Sequence, residues 1–208
     1  MRVMTVCVGK AEARPGKKMK TGINKHATSS AMLFGFDGLD GDAVCNRKYH
    51  GGPEQAVYVE GNLTRLWWEE ELGRPVAHGV LGENLCLEGL DNRTVAVGDR
   101  FTIGELLLEV TAPRMPCRTL NDKMGDPGFA KRYIKAARPG FYCRVLRPGL
   151  VEAGTVVKYQ PFQGERVLMS EMMGHHGKKA STDLIERYRT VPVHAKLRAS
   201  LSTGTVKF

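Results

Sequence analysis

The sequence Arg114-Met115-Pro116-Cys117-Arg118 places a thiol between two guanidinium groups in a segment stiffened by Pro113 and Pro116. A thiolate is both the nucleophilic and the metal-binding form of cysteine, and nearby cations favour it over the thiol. Proline fixes φ and removes an amide donor, so the thiol would be presented rigidly. These features suit a metal ligand or a nucleophile. The competing reading is a cysteine packed in a tight loop after a strand, and this stretch alone does not separate the two.

Two further stretches have chemical potential. Arg47-Lys48-Tyr49-His50-Gly51-Gly52-Pro53 combines cations, an imidazole and paired glycines. Glycine pairs let the backbone approach a ligand and point amides at an anion, so Lys48, His50, Gly51 and Gly52 form a candidate oxyanion or phosphate cradle. A plain basic turn is the alternative. In Gly82-Glu83-Asn84-Leu85, Glu83 and Asn84 stand at a strand start, where they would orient a ligand or pin loops.

Other chemistries lack their signatures. There is no phosphate loop of the form G-x-x-x-x-G-K-[ST], no H-E-x-x-H, no G-x-S-x-G and no G-x-G-x-x-G. The five cysteines lack the close pairing of structural zinc sites. His175-His176 lies in a polar tail and reads as a solvated pair.

The elements that must position these residues are mostly short strands. Residues 3–9, 55–60, 79–90, 141–149 and 154–160 read as strands. Residues 94–114 read as two strands turning at Gly104-Glu105. The stretches 9–26 and 34–55 read as loops, the second holding a strand or two. A helix is predicted over 62–73, with Asn62 as N-cap, Gly73 as C-cap, and Leu63, Leu66, Trp67 and Leu72 on its packed side. Trp67 and Trp68 read as helix packing rather than a stacking platform. A short basic helix is predicted over 125–140. From about 165 the pattern is polar and helical, with Ser181 placed to cap a helix. The resulting expectation is a mainly β fold, a closed mixed barrel at 1–163, and a small helical C-terminal domain at 164–208.

The chain has 208 residues, 42% of them hydrophobic, enough for a real core. Its net charge of +9 points to an anionic partner, such as a phosphate-bearing ligand or nucleic acid. Basic–aromatic interleaving is missing, which disfavours a nucleic-acid-binding module. No signal-peptide pattern and no membrane-length apolar run is present. With cysteines that read as reduced thiols, this predicts a cytoplasmic protein.

The order of the motifs carries a resemblance that no single motif does. T-G-I-N-K at 21–25 is followed by G-L-D-G-D at 38–42, K-Y-H-G-G at 48–52 and G-E-N-L at 82–85. V-G-D at 97–99, P-R-M-P-C at 113–117 and G-F-Y-x-R-V at 140–145 complete the series. Over residues 5–160 the chain resembles the MOSC domain family, named for the C-terminal part of molybdenum cofactor sulfurases. It looks most like the stand-alone bacterial YiiM-type members, which carry a small helical C-terminal domain.

The resemblance implies a β-barrel with the site at one mouth. It implies a molybdenum cofactor, a molybdopterin with or without an added nucleotide, bound through molybdenum to Cys117. A soft thiolate suits a transition metal. Lys48, His50, Gly51, Gly52, Glu83, Asn84, Arg114 and Arg118 are the implied neighbours of the anionic cofactor. Members of this kind reduce N-hydroxylated compounds such as hydroxylaminopurines, amidoximes and hydroxamic acids. No flavin or iron–sulfur pattern is present, so a separate electron-donating reductase is implied. The alternatives are a cofactor or sulfur carrier using a Cys117 persulfide, and the nucleic-acid module. The chain departs from the family pattern at Val44 and Asn46, at Thr119, and at Val59-Glu60-Gly61.

Overall fold

A computed structural model describes residues 1–208. The strands are β1 (Val3–Gly9), β2 (Glu12–Arg14), β3 (Lys17–Thr21), β4 (Lys25–Thr28), β5 (Met32–Gly35), β6 (Gly38–Leu39), β7 (Val57–Gly61), β8 (Leu85–Leu87), β9 (Arg100–Ile103), β10 (Leu106–Pro113), β11 (Phe141–Arg147), β12 (Gly149–Val151) and β13 (Val157–Gln160). The helices are α1 (Asn62–Leu72), α2 (Arg118–Met124), α3 (Phe129–Ala136), α4 (Met169–His175), α5 (Thr182–Arg189) and α6 (Ala195–Leu201).

The main sheet has eight strands in the order β13-β9-β10-β11-β7-β8-β1-β4. Every pairing in it is antiparallel except β7 with β8. The expected closed barrel is not formed. β13 and β4 are free edges, and β13 meets the start of β1 only through an isolated Arg2–Val156 bridge. Around that bridge Val157 N donates to Met1 O at 3.0 Å and Val3 N donates to Thr155 O at 2.9 Å, but no ladder follows, and the only strand that pairs along the length of β13 is β9. The fold is also not mainly β. Six α-helices accompany the strands, which makes it a mixed, sheet-rich architecture.

Alternation along the strands buries one continuous core. Val57, Val59, Leu85, Phe101, Ile103, Leu106, Leu108, Val110 and Phe141 are all buried. Val167, Met169, Met172, Tyr188, Val191 and Leu197, from the segment after residue 163, join the same cluster. A smaller cluster packs Trp68 of α1 on Phe129 and Tyr133 of α3, with Leu120 and Met124 of α2. It supports the segment carrying Cys117.

Several local expectations need correction. Residues 9–26 are not all loop, because β2 and β3 pair as a separate hairpin and β4 joins β1. The sequence reading holds no helix at α2, which is a seven-residue helix whose only apolar signal is the single buried i,i+4 pair Leu120 and Met124. In α1 the N-cap is Gly61, and the Asn62 side chain instead accepts from Gly89 N at 2.7 Å. The buried face of α1 carries Thr64 and Trp68, while Leu63 and Leu66 remain 45% and 40% exposed. The Gly104-Glu105 turn, the Gly73 C-cap and the Ser181 cap, which accepts from Leu184 N, are present. His175 and His176 are not a free solvated pair: His175 Nδ1 lies 2.9 Å from Tyr188 Oη, and the His176 ring packs on Phe208.

Candidate functional site

The site is assembled where β10 ends. Arg114 N donates to Gly140 O at 2.8 Å, tying this end to the start of β11. Extended backbone at Cys117 then starts α2, and the Cys117 carbonyl accepts from Leu120 N and Asn121 N. A seven-residue helix on a packed base thus fixes the cysteine, with Pro116 preceding it.

Cys117 lines a cavity of about 180 Å³. Arg114, His50, Gly51 and Asn84 line it too, so the structure brings five of the nine sequence-selected residues together. The other four stand outside the lining. Lys48 is exposed with its Nζ over the Tyr49 ring, and Arg118 is exposed on α2. Gly52 caps the short 3-10 turn at 53–55. Glu83 is buried behind the wall, where its Oε1 accepts from Gly79 N at 2.5 Å.

Arg114 is 4% exposed and makes no ion pair; its Nη1 donates to Met115 O at 2.7 Å. Its guanidinium lies 5.9 Å from the Tyr58 ring centroid and 5.8 Å from that of Tyr133, a cation–π arrangement. Burial works against its charge, but the surrounding phenols and the Cys117 thiol outweigh that and keep it protonated. The two flanking arginines therefore differ: one is a buried cation at the cavity, the other a solvated surface group.

His50 is held neutral, because burial and the cations of Arg114 and Lys196 lower its pKa. Gly51 adopts φ 76°, and a Cβ there would meet the Val44 side chain. At Gly22, also in the lining, a Cβ would collide with the Ala43 backbone, so two main-chain segments meet without side chains between them.

Sequence reasoning missed several lining residues. Lys25 and Asp42 form a buried ion pair, and Asn84 Nδ2 donates to the same carboxylate at 3.0 Å. Asn84 Oδ1 accepts from Tyr58 N at 3.1 Å, which joins this group to β7. Lys25 and Asp42 end the T-G-I-N-K and G-L-D-G-D motifs, so their positions were visible but their pairing was not. Arg14 reaches the lining from the β2–β3 hairpin and is paired with Asp122 of α2 at 2.6 Å. Gln55 is the most informative omission. It is 7% exposed, lines the cavity, and its Oε1 is buried without a donor.

These residues fit a molybdenum–pterin cofactor. The wall offers one soft thiol, which suits a metal that brings its other ligands with it. It offers a buried cation with no protein counter-charge, suited to a phosphate-bearing group. It also offers the Gln55 amide in the lining, whose oxygen has no protein donor and which an amide rotation would present to the N–H groups of a pterin. No cluster of three or more His, Cys, Asp or Glu is arranged to hold a metal by protein ligands alone.

The chain is similar to known proteins over most of its length. The MOSC domain profile matches residues 46–158. Protein YiiM of Escherichia coli (strain K12) is 32% identical over 151 residues, covering 71% of this chain and 67% of that protein. A protein named reductase from Gibberella moniliformis (strain M3125 / FGSC 7600) is 31% identical over 146 residues, 68% of this chain. The match spans only 26% of that longer protein. The crystal structure of YiiM from Geobacillus stearothermophilus has the same fold, with a TM-score of 0.79 over 97% of both chains at 24% identity. No helix of this chain is long and apolar enough to cross a membrane.

Proposed function

This chain belongs to the MOSC domain family, and on that premise we propose that it is a molybdenum-cofactor-dependent reductase of N-hydroxylated compounds. One observation carries the reading: the Cys117 thiol shares a cavity wall with an unpaired buried cation, Arg114, and an unpaired buried acceptor, Gln55. The relative named reductase supports electron transfer over a carrier role.

When bound, the cofactor supplies two-electron, oxygen-accepting chemistry at molybdenum. The protein's own contribution is ligation, charge and shape. Cys117 provides the single thiolate donor. Arg114, fixed between two phenols, holds the anionic part of the cofactor. Gln55 accepts from a ring N–H, and Gly22 and Gly51 let main chain approach closely. Neutral His50 acts as a hydrogen-bonding group rather than a cation. Lys25, held by Asp42, keeps a second cationic group at the wall. The overall conversion, R–NH–OH with two electrons and two protons to R–NH2 and water, needs an external electron source. A separate reductase fills that role.

The test compares wild type with Cys117→Ala, each loaded with cofactor, using hydroxylaminopurine and an artificial electron donor. Molybdenum content is read by plasma mass spectrometry. Wild type should retain molybdenum and turn over; the variant should lose both. Retained molybdenum without turnover of any N-hydroxylated substrate would overturn the reductase reading. A persulfide on Cys117 without molybdenum would move the assignment to a sulfur carrier. Equal turnover in both proteins would overturn the role of Cys117.

A further inference from the structure

Behind the cavity wall lies a buried acid that the ligand set does not use. Glu60 of β7 is 1% exposed and has no cation paired with it. Tyr58 Oη lies 2.6 Å from its Oε1, and Asn92 Nδ2 lies 2.5 Å from its Oε2. Asn92 is itself fixed, because its Oδ1 accepts from Gly61 N at 2.8 Å and its N donates to Thr64 Oγ1 at 3.1 Å. A glutamine would satisfy both neighbours as well, without the cost of a buried carboxyl that can ionise. A carboxyl at this position therefore calls for a role that needs its proton.

Burial pushes the Glu60 pKa up to about 8, a rise that nearby Glu83 reinforces and that Tyr58, Asn92 and Arg114 partly offset. The remaining titratable groups around it are Tyr133 of α3 and Cys86 of β8. Tyr58 Oη donates to Glu60 Oε1; a carboxyl that holds its proton can reverse this bond and donate to the phenol oxygen, which frees the phenol hydrogen for another acceptor. Tyr58 also lines the cavity, so it connects the buried acid with the reaction space.

We infer that Glu60 and Tyr58 form a proton relay that feeds the cavity. The inference rests on the reductase reading above. As the N–O bond breaks, two electrons from the separate reductase end on the substrate. Tyr58 releases its phenol proton to the departing oxygen while taking the Glu60 proton, and a second proton from solvent completes water and amine. Glu60 is reprotonated from solvent before the next turnover. Tyr58 is the group in the reaction space, and Glu60 acts through it.

Two measurements test this. The first is infrared titration of the cofactor-free protein. Wild type should show a protonated carboxylic acid band at pH 7 that fades as pH passes about 8, and Glu60→Gln should lack it. The second is turnover with matched molybdenum content. Glu60→Gln should keep KM, lose kcat by about 100-fold as expected for a lost proton donor, and lose the alkaline limb of the kcat profile. Tyr58→Phe should lose kcat similarly while keeping the infrared band, which covers the case in which Glu60→Gln folds poorly. An ionised Glu60 at neutral pH would overturn the relay. So would a Glu60→Gln enzyme with wild-type kcat and an unchanged pH profile. A wild type that reduces no N-hydroxylated substrate would overturn the reaction and the relay with it, whereas failure of the variant comparison alone removes only the relay.

Discussion

Two buried polar clusters in this fold are completed to different degrees. Around Asp99, which is fully buried, every carboxylate oxygen is matched. Oδ1 accepts from Arg166 and from Phe162 N at 2.9 Å; Oδ2 accepts from Ala96 N at 2.8 Å and Tyr159 Oη at 2.7 Å. At the cavity the matching stops short. Arg114 has no carboxylate, and Gln55 Oε1 has no donor. A saturated network holds chain segments together, while unmatched buried groups point to a partner that is not protein. Asp99 ties β9 to the chain that leaves β13 for the C-terminal helices; the cavity groups keep valences for a ligand.

Breaking the saturated cluster should give the largest effect on stability. Asp99→Ala removes four hydrogen-bond acceptances at once and strands Arg166. We expect a loss of about 3 kcal/mol, from the measured cost of breaking buried pairs and reduced because Arg166 can turn to solvent. Urea denaturation with an unchanged m-value checks it. A loss below about 1 kcal/mol would show that saturation at Asp99 does not carry structural weight.

The second effect is pH-dependent and lies where the C-terminal segment meets the sheet. His194 is 3% exposed, caps α6 by accepting from Lys196 N, and donates its own backbone N–H to Thr111 O. Burial, with Lys196 and Arg144, lowers its pKa to about 4. The unfolded chain takes up this proton near pH 6.5 and the folded chain does not, so the unfolded state binds more protons between about 6.5 and 4. Stability should therefore fall by about 2–3 kcal/mol as pH drops through that window. His194→Asn keeps a capping acceptor and removes the titration, so its stability should be flatter over the same range. Parallel curves for the two proteins would remove His194 as the cause.

The contrast between the clusters also separates what sequence can carry from what it cannot. The strands at 3–9 and 106–113 and the turn at 104–105 are legible because alternation and turn chemistry are local. Cys117 and Arg114 are legible as a rigid cationic thiol segment. The different fates of Arg114 and Arg118 are not, because the start of α2 decides which one faces the cavity. The sheet edges depend on non-local pairing, which is why closure of a barrel was expected and an open sheet is found. Lys25 meets Asp42 across residues read as loops, and Glu60 looks like one more strand residue until Asn92 and Tyr58 are seen to enclose it.

The smallest effect gives the sharpest discrimination between the clusters. Gln55→Leu replaces an unmatched buried acceptor with an apolar group of similar size. If Gln55 Oε1 serves only the fold, its loss should cost stability like any broken hydrogen bond. Its oxygen has no donor, so the free protein has no such bond to lose. Removing an unsatisfied buried polar atom is neutral or mildly stabilising, so the thermal midpoint should hold or rise. The cofactor, by contrast, loses an acceptor, and retention should weaken about 10-fold, equivalent to about 1.4 kcal/mol. Molybdenum retained through gel filtration measures this against the wild type. A lower midpoint with unchanged retention would place Gln55 with Asp99 as a structural group, and the distinction between matched and unmatched clusters would then rest on Arg114.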